Sequence, residues 1–166
     1  MKPLDSKDYT ILELLQENGS CSDAELARRV DLSTSGLKKR RLRLERQGVI
    51  ERKVTLVDRN SLGLALQCFV QVSLAHHRQD ADREFQEAIQ DLDEVMECHF
   101  LTGQQDYLLK VVVRDYQDLE RLLRYLACKS VDRLLTSIVL SEIKNTTSLP
   151  IALAKAESAT KTDAGE

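Results

Sequence analysis

The chain has no tryptophan, and Phe and Tyr make up only 4% of its 166 residues. Any core it builds must therefore be aliphatic, and a 42% hydrophobic fraction supplies the Leu, Ile and Val to build it. No apolar run approaches the roughly 18 residues that a membrane span requires. The opening MKPLDSKD lacks the apolar stretch of a signal peptide, so a soluble cytoplasmic protein is expected. Cysteines are few and scattered: Cys21, Cys68, Cys98 and Cys128 form no CxxC pair and no Cys-His cluster. That excludes the paired ligand spacing of a structural zinc site. They read as small buried hydrophobes in a reducing compartment, with redox or metal sensing through them as the alternative.

Excess positive charge is also absent, since the net charge is −3. Taken whole, that argues against nucleic acid as a partner. Mapped along the chain, it does not. Residues 1–53 carry 12 Lys and Arg against 9 Asp and Glu, while the rest of the chain holds 12 basic and 18 acidic residues. Between positions 38 and 46 lie Lys38, Lys39, Arg40, Arg41, Arg43 and Arg46, opposed by Glu45 alone. A short basic segment on an otherwise acidic chain is the footprint of an element that contacts phosphates.

That segment sits inside a predicted helix-turn-helix. Asp5 can cap a first helix with Ile11, Leu12, Leu14 and Leu15 on its inner face, ending near Asn18-Gly19. Ser22-Asp23-Ala24-Glu25 is a capping box opening a second helix that buries Leu26, Ala27 and Val30. Asp31-Leu32 form a turn, and Ser33 caps a third helix ending at Gly48. On this third helix Leu37 and Leu44, one heptad apart, face inward. Thr34, Ser35, Lys38 and Lys39 lie near the end of a recognition helix that reaches base edges, and the capping Ser33 joins them in the expected DNA-binding set. Arg40, Arg43 and Arg46 are candidates for phosphate contacts, which set register without reading sequence.

Residues 49–58 (VIERKVTLVD) read as strand-like, linking two domains and serving partly as a wing. From Leu66 the alternation is strict: Leu66, Cys68, Val70, Val72 and Leu74 share one face, and Gln67, Phe69, Gln71 and Ser73 the other. A helix with Phe85, Ala88, Ile89 and Leu92 follows, then strands over 95–101 and 107–113. A second helix buries Leu119, Leu122, Leu123 and Leu126, and a last strand is expected over about 135–143. The order β-α-β-β-α-β predicts a ferredoxin-like α+β domain behind the helix-turn-helix. Two helices cover one sheet face, so the face bearing Phe69 is expected to be buried by a second copy. The expected domain limits are 1–52 for the helix-turn-helix, 53–64 for a linker strand, 65–151 for the ferredoxin-like domain and 152–166 for a flexible tail.

Together the motifs resemble the Lrp/AsnC ("feast/famine") family of bacterial transcription regulators. The matching features are LD..D..IL.LLQENG at the start, ELA..V.LS, R..RLE..GVI, and the D...LG that closes the linker, so the resemblance covers about residues 4–151. Arg41 stands where that family usually has Val or Ile, and Leu42 where a polar residue is usual. Gly36, a poor helix former, sits in the first turn of the recognition helix.

The segment Thr102-Gly103-Gln104-Gln105-Asp106-Tyr107 offers a glycine turn whose amides suit a carboxylate, and a carboxylate that suits an ammonium group. By itself it is equally an ordinary hairpin. The resemblance implies that this motif belongs to an amino-acid effector site where dimers meet, completed by Thr136 and Ser137 of the last strand. It further implies double-stranded DNA with a pseudo-palindromic operator as partner, a homodimer assembling to an octamer, no cofactor beyond the amino acid, and a nucleoid-associated location. No Ser/His/Asp order, Gly-rich phosphate loop or metal spacing points to an enzyme. His76, His77 and His99 read as loop or edge residues, since neighbours on a strand point to opposite faces.

Overall fold

The computed structural model describes residues 3–75 and 80–155, which divide into two compact units. His76 and His77 lie outside the described residues, as does the tail beyond 155.

The first unit holds residues up to Thr55 together with the segment from Lys144 onward. Its helices are α1 (Ser6–Glu17), α2 (Asp23–Arg29) and α3 (Thr34–Arg46). Each follows a residue whose side chain can satisfy free amides of the first turn. Asp5 accepts from the Asp8 amide while Asp8 accepts from the Asp5 amide, a complete capping box. Ser22 accepts from the Glu25 amide at 3.2 Å and Ser33 from the Gly36 amide at 3.1 Å. Between α2 and α3, Asp31 takes a left-handed conformation with φ 51°, a strain that a short acidic side chain tolerates. Ile11, Leu26, Leu37 and Leu44 are fully buried and tie the three helices into one core.

One sequence expectation for this region changes. Residues 51–58 are exposed and form no strand, because a strand needs a neighbour to pair with and none is present among the described residues. By its contacts the chain from 144 to 155 groups with the helix-turn-helix. Here the Gln16 side chain donates to the Leu149 carbonyl at 3.1 Å and accepts from its amide at 2.7 Å. Lys155, in a helical turn over 151–155, pairs with Glu13 at 2.7 Å.

The second unit, Leu56–Ile143, is a four-stranded antiparallel sheet with two helices. Its elements are β1 (Leu66–Leu74), α4 (Ala81–Gln90), β2 (Val95–Phe100), β3 (Tyr107–Val113), α5 (Tyr116–Ala127) and β4 (Val131–Ile138). The sheet order β2-β3-β1-β4 is the ferredoxin-like one. Phe85 and Ile89 of α4, with Leu119, Leu122 and Leu126 of α5, pack on Cys68, Val70, Val72 and Leu74. The other face keeps Phe69 and Leu135 exposed. β4 starts and stops earlier than the expected 135–143. It pairs with β1 from Val131 to Ile138, and Val139 adds one bond to Gln67; because β1 begins at Leu66, later residues have no partner strand.

Candidate DNA-binding face and effector site

On α3 the inner seam is set by Leu37 and Leu44, both fully buried, and an arginine at position 41 leaves that seam in place. Instead Arg41 lies at the margin, paired with Asp23 at 2.9 Å and Glu45 at 3.0 Å. These partners raise its pKa further above that of free arginine. Helical spacing then groups Ser35, Lys38, Lys39, Leu42 and Arg46 on the opposite, exposed stripe. Lys38, Lys39 and Arg46 have no charged partner among the described residues. Ser33, Thr34 and Ser35 sit exposed at the helix start, with the Ser33 and Ser35 hydroxyls 3.2 Å apart. Gly36 has a local reason: a Cβ there would meet the Ser33 hydroxyl at 3.1 Å, so glycine leaves room for the capping contact.

Arg40 and Arg43, also expected at the phosphates, are turned another way. Asp8 is fully buried, and its carboxylate accepts from Arg40 Nη1 at 2.9 Å and from Arg43 Nη2. Arg40 also donates to Asp5 at 2.5 Å, which holds the Asp5 carboxyl below the usual carboxylate range and raises the Arg40 pKa. A buried carboxylate survives only when its lone pairs are met by such donors. The sequence motif LD..D contained both acids, but nothing in it named their partners.

In the second unit, residues 101–106 join β2 to β3, closed by the Leu101 amide donating to the Asp106 carbonyl at 2.8 Å. Gly103 takes φ 125°, a conformation side chains rarely adopt. Thr102, Gly103 and Gln104 are exposed, and residues 102–105 make no hydrogen bond to other described residues. Their amides are thus available to an anion. Asp106 is half-buried; its Oδ2 accepts from the Leu74 amide at 2.7 Å, and its own amide donates to the Val72 carbonyl at 2.9 Å. The acid therefore ties the hairpin to the end of β1 and retains a second oxygen.

Tyr107 is buried between Phe85 and Phe100, with ring centroids at 4.8 and 5.2 Å. Its hydroxyl donates to Asp82 at 2.9 Å and accepts from Gln86 at 2.8 Å. Burial is the main cause that raises its pKa. Asp82 and Gln86 were missed in the sequence; an i, i+4 polar pair on α4 was their only signal. Tyr107 reads as a support of the hairpin from within the core.

Thr136 and Ser137 are not brought to this hairpin. Thr136 pairs with Val70 and so faces the helices, whereas Ser137 pairs with Phe69 on the uncovered face. β1 and β3 stand between β4 and β2. A cavity of about 390 Å³ lies along α5, lined by Tyr116, Leu119, Glu120, Leu123, Arg124 and Ala127, and none of residues 102–107 lines it.

Cys21 and Cys68 are buried, while Cys98 and Cys128 are exposed. Desolvation raises the thiol pKa of Cys21, Cys68 and Cys98, which disfavours the reactive thiolate. At these three positions that counts against the cysteine-sensor alternative.

Known proteins share this arrangement. A family model for a winged helix-turn-helix DNA-binding domain matches residues 4–51, and one for the Lrp/AsnC ligand binding domain matches residues 67–149. The leucine-responsive regulatory protein of Escherichia coli K12 is 38% identical over 152 residues, covering 90% of this chain and 93% of that one. A transcriptional regulator from Neisseria meningitidis, solved as an L-Met complex, superposes with a TM-score of 0.87 at 36% identity, covering 92% of this chain and 99% of that one. An AsnC family regulator from Agrobacterium tumefaciens gives 0.84 at 32% identity, covering 90% and 99%.

Proposed function

The chain belongs to the Lrp/AsnC family of transcriptional regulators, and from that premise we propose that it binds operator DNA through α3 and responds to a free amino acid through its second unit. The observation that carries this reading is the exposed α3 stripe in which Lys38, Lys39 and Arg46 are claimed by no internal acid among the described residues. Ser33, Thr34, Ser35, Lys38 and Lys39 meet base edges and nearby phosphates, and Arg46 holds the backbone further along.

The effector reading is supported by the hairpin and by the L-Met complex of the Neisseria regulator. The unpaired amides of 102–105 receive the effector's carboxylate, and Asp106 its ammonium. Thr136 and Ser137 sit on a different part of the sheet, so they join such a site only where a second copy brings them in. The uncovered face with Phe69 and Leu135 accounts for the first dimer contact. Further association to an octamer presents recognition helices to pseudo-palindromic half-sites on nucleoid DNA, and the amino acid acts by its differential affinity for the assembled forms.

The test is a thermal-shift screen against the twenty amino acids, paired with a gel-shift assay on genomic fragments. An effector at roughly a hundredfold excess over its Kd stabilises the folded protein by about 2.7 kcal/mol. One or two hits and a sequence-selective shift are expected. DNA binding without sequence preference at physiological salt refutes the regulator reading; no amino-acid hit refutes the sensor half.

A further inference from the structure

We propose that Asp8 is a positioning residue for DNA binding: it withdraws Arg40 and Arg43 from the phosphate-facing charge of α3 and leaves the backbone contacts to Lys38, Lys39 and Arg46. The inference rests on α3 being the DNA-binding helix.

Six of the nine residues from Lys38 to Arg46 are basic, and a count of charge assigns them all to phosphates. The structure divides them. Arg41 answers Asp23 and Glu45. Arg40 and Arg43 converge on Asp8, which comes from the first turn of α1 and is fully buried. With Asp5, which Arg40 also contacts, the two acids and two arginines form a locally neutral cluster. The Asp8 carboxylate is met by three donors: the Asp5 amide at 3.0 Å, Arg40 Nη1 at 2.9 Å and Arg43 Nη2.

Moving either arginine to a phosphate would strip a donor from a carboxylate that water does not reach, and an under-satisfied buried charge is strongly unfavourable. A phosphate offers in exchange only a contact screened by solvent and salt. By helical spacing Arg43 lies one turn from both Lys39 and Arg46 and so flanks the exposed stripe; of the two arginines held by Asp8 it is the nearer to the DNA side. Asp8 thus holds α1 to α3 and limits how many phosphates the helix neutralises. A lower non-specific, salt-sensitive affinity leaves more of the discrimination to the residues at the helix start.

The salt dependence of binding tests this, because each phosphate contact contributes about −0.9 to the slope of log K against log salt on duplex DNA. Full-length variants are titrated by fluorescence anisotropy with a short labelled duplex of arbitrary sequence. K38Q, K39Q and R46Q should each flatten the slope by about 0.9 per bound protomer. R40Q and R43Q should leave it unchanged. D8N frees Arg43, leaves Arg40 paired with Asp5 and keeps an acceptor for the Asp5 amide, so it should steepen the slope by about 0.9 per protomer. The triple variant D8N/R40Q/R43Q should return to the wild-type slope.

Flattening by R40Q or R43Q to the same degree as K39Q overturns the proposal, as does a D8N protein with native circular dichroism and a wild-type slope. If D8N does not fold, the two arginine variants decide the matter alone. Wild-type protein that binds no duplex at low salt refutes the DNA-binding reading itself, an outcome distinct from a normal wild-type slope with the arginines contributing to it.

Discussion

Replacing Asp106 by alanine removes two things at once: the acceptor for the Leu74 amide at 2.7 Å and the negative charge proposed to meet an effector's ammonium. Asparagine removes only the second. The structural part can be sized. Leu74 is buried at 6% exposure, and a buried N–H left without a partner costs about 1–3 kcal/mol. Asp106 itself is half-buried, so water can partly replace it, and a loss of about 1–2 kcal/mol is expected for D106A. For a domain the size of the second unit, that lowers Tm by roughly 5–15 °C. D106N, retaining a side-chain oxygen, should stay within a few degrees of wild type. Effector binding should follow the charge instead. A hydrogen bond to a charged group contributes about 1.5–3 kcal/mol, so either variant should bind the amino acid about ten- to a hundredfold more weakly. At a ligand concentration giving wild type about 2.7 kcal/mol of stabilisation, a site weakened a hundredfold gains only about 0.4 kcal/mol. The assay is thermal unfolding at one fixed protein concentration, with and without the effector. D106N that melts as low as D106A would show that the hairpin depends on charge and not on the acceptor. D106N that keeps the full effector shift would refute Asp106 as the ammonium partner.

Three further outcomes are expected. S33A should destabilise the first unit by about 1 kcal/mol through the lost cap. The same change removes the hydroxyl that a Cβ at position 36 would meet at 3.1 Å, so G36A should be less harmful in S33A than in wild type, a coupling that a double-mutant cycle reads directly. Asp5 has a pKa lowered chiefly by its hydrogen bond from Arg40. Its contribution is therefore present above the ordinary value of 3.8 and is lost as pH falls through the lower folded value. In acid unfolding curves D5N should lose less stability than wild type over that range; identical curves would remove Asp5 from the explanation.

The sequence by itself determined the elements whose cause is local. Asp5, Ser22 and Ser33 cap helices because a side-chain oxygen reaches amides two or three residues on, and Leu37 and Leu44 face inward because seven residues make nearly two helical turns. Alternation over 66–74 placed Phe69 opposite Cys68 and Val70 for the same kind of reason. The hairpin at 102–106 was legible from its glycine, and the family from the order of its motifs. What only the tertiary structure decided lies between residues distant in sequence. The length of β4 follows from where β1 begins, and the neighbours of Gln16 include Leu149, 133 positions later. Asp82 and Gln86 of α4 meet the hydroxyl of Tyr107 on β3. The division of the basic helix belongs here too: a sequence counts charges, but whether Arg40 and Arg43 face solvent or Asp8 depends on how α1 packs against α3. Hydrogen bonds and ion pairs act over a few ångströms of space, and only the packed chain brings those distances into being.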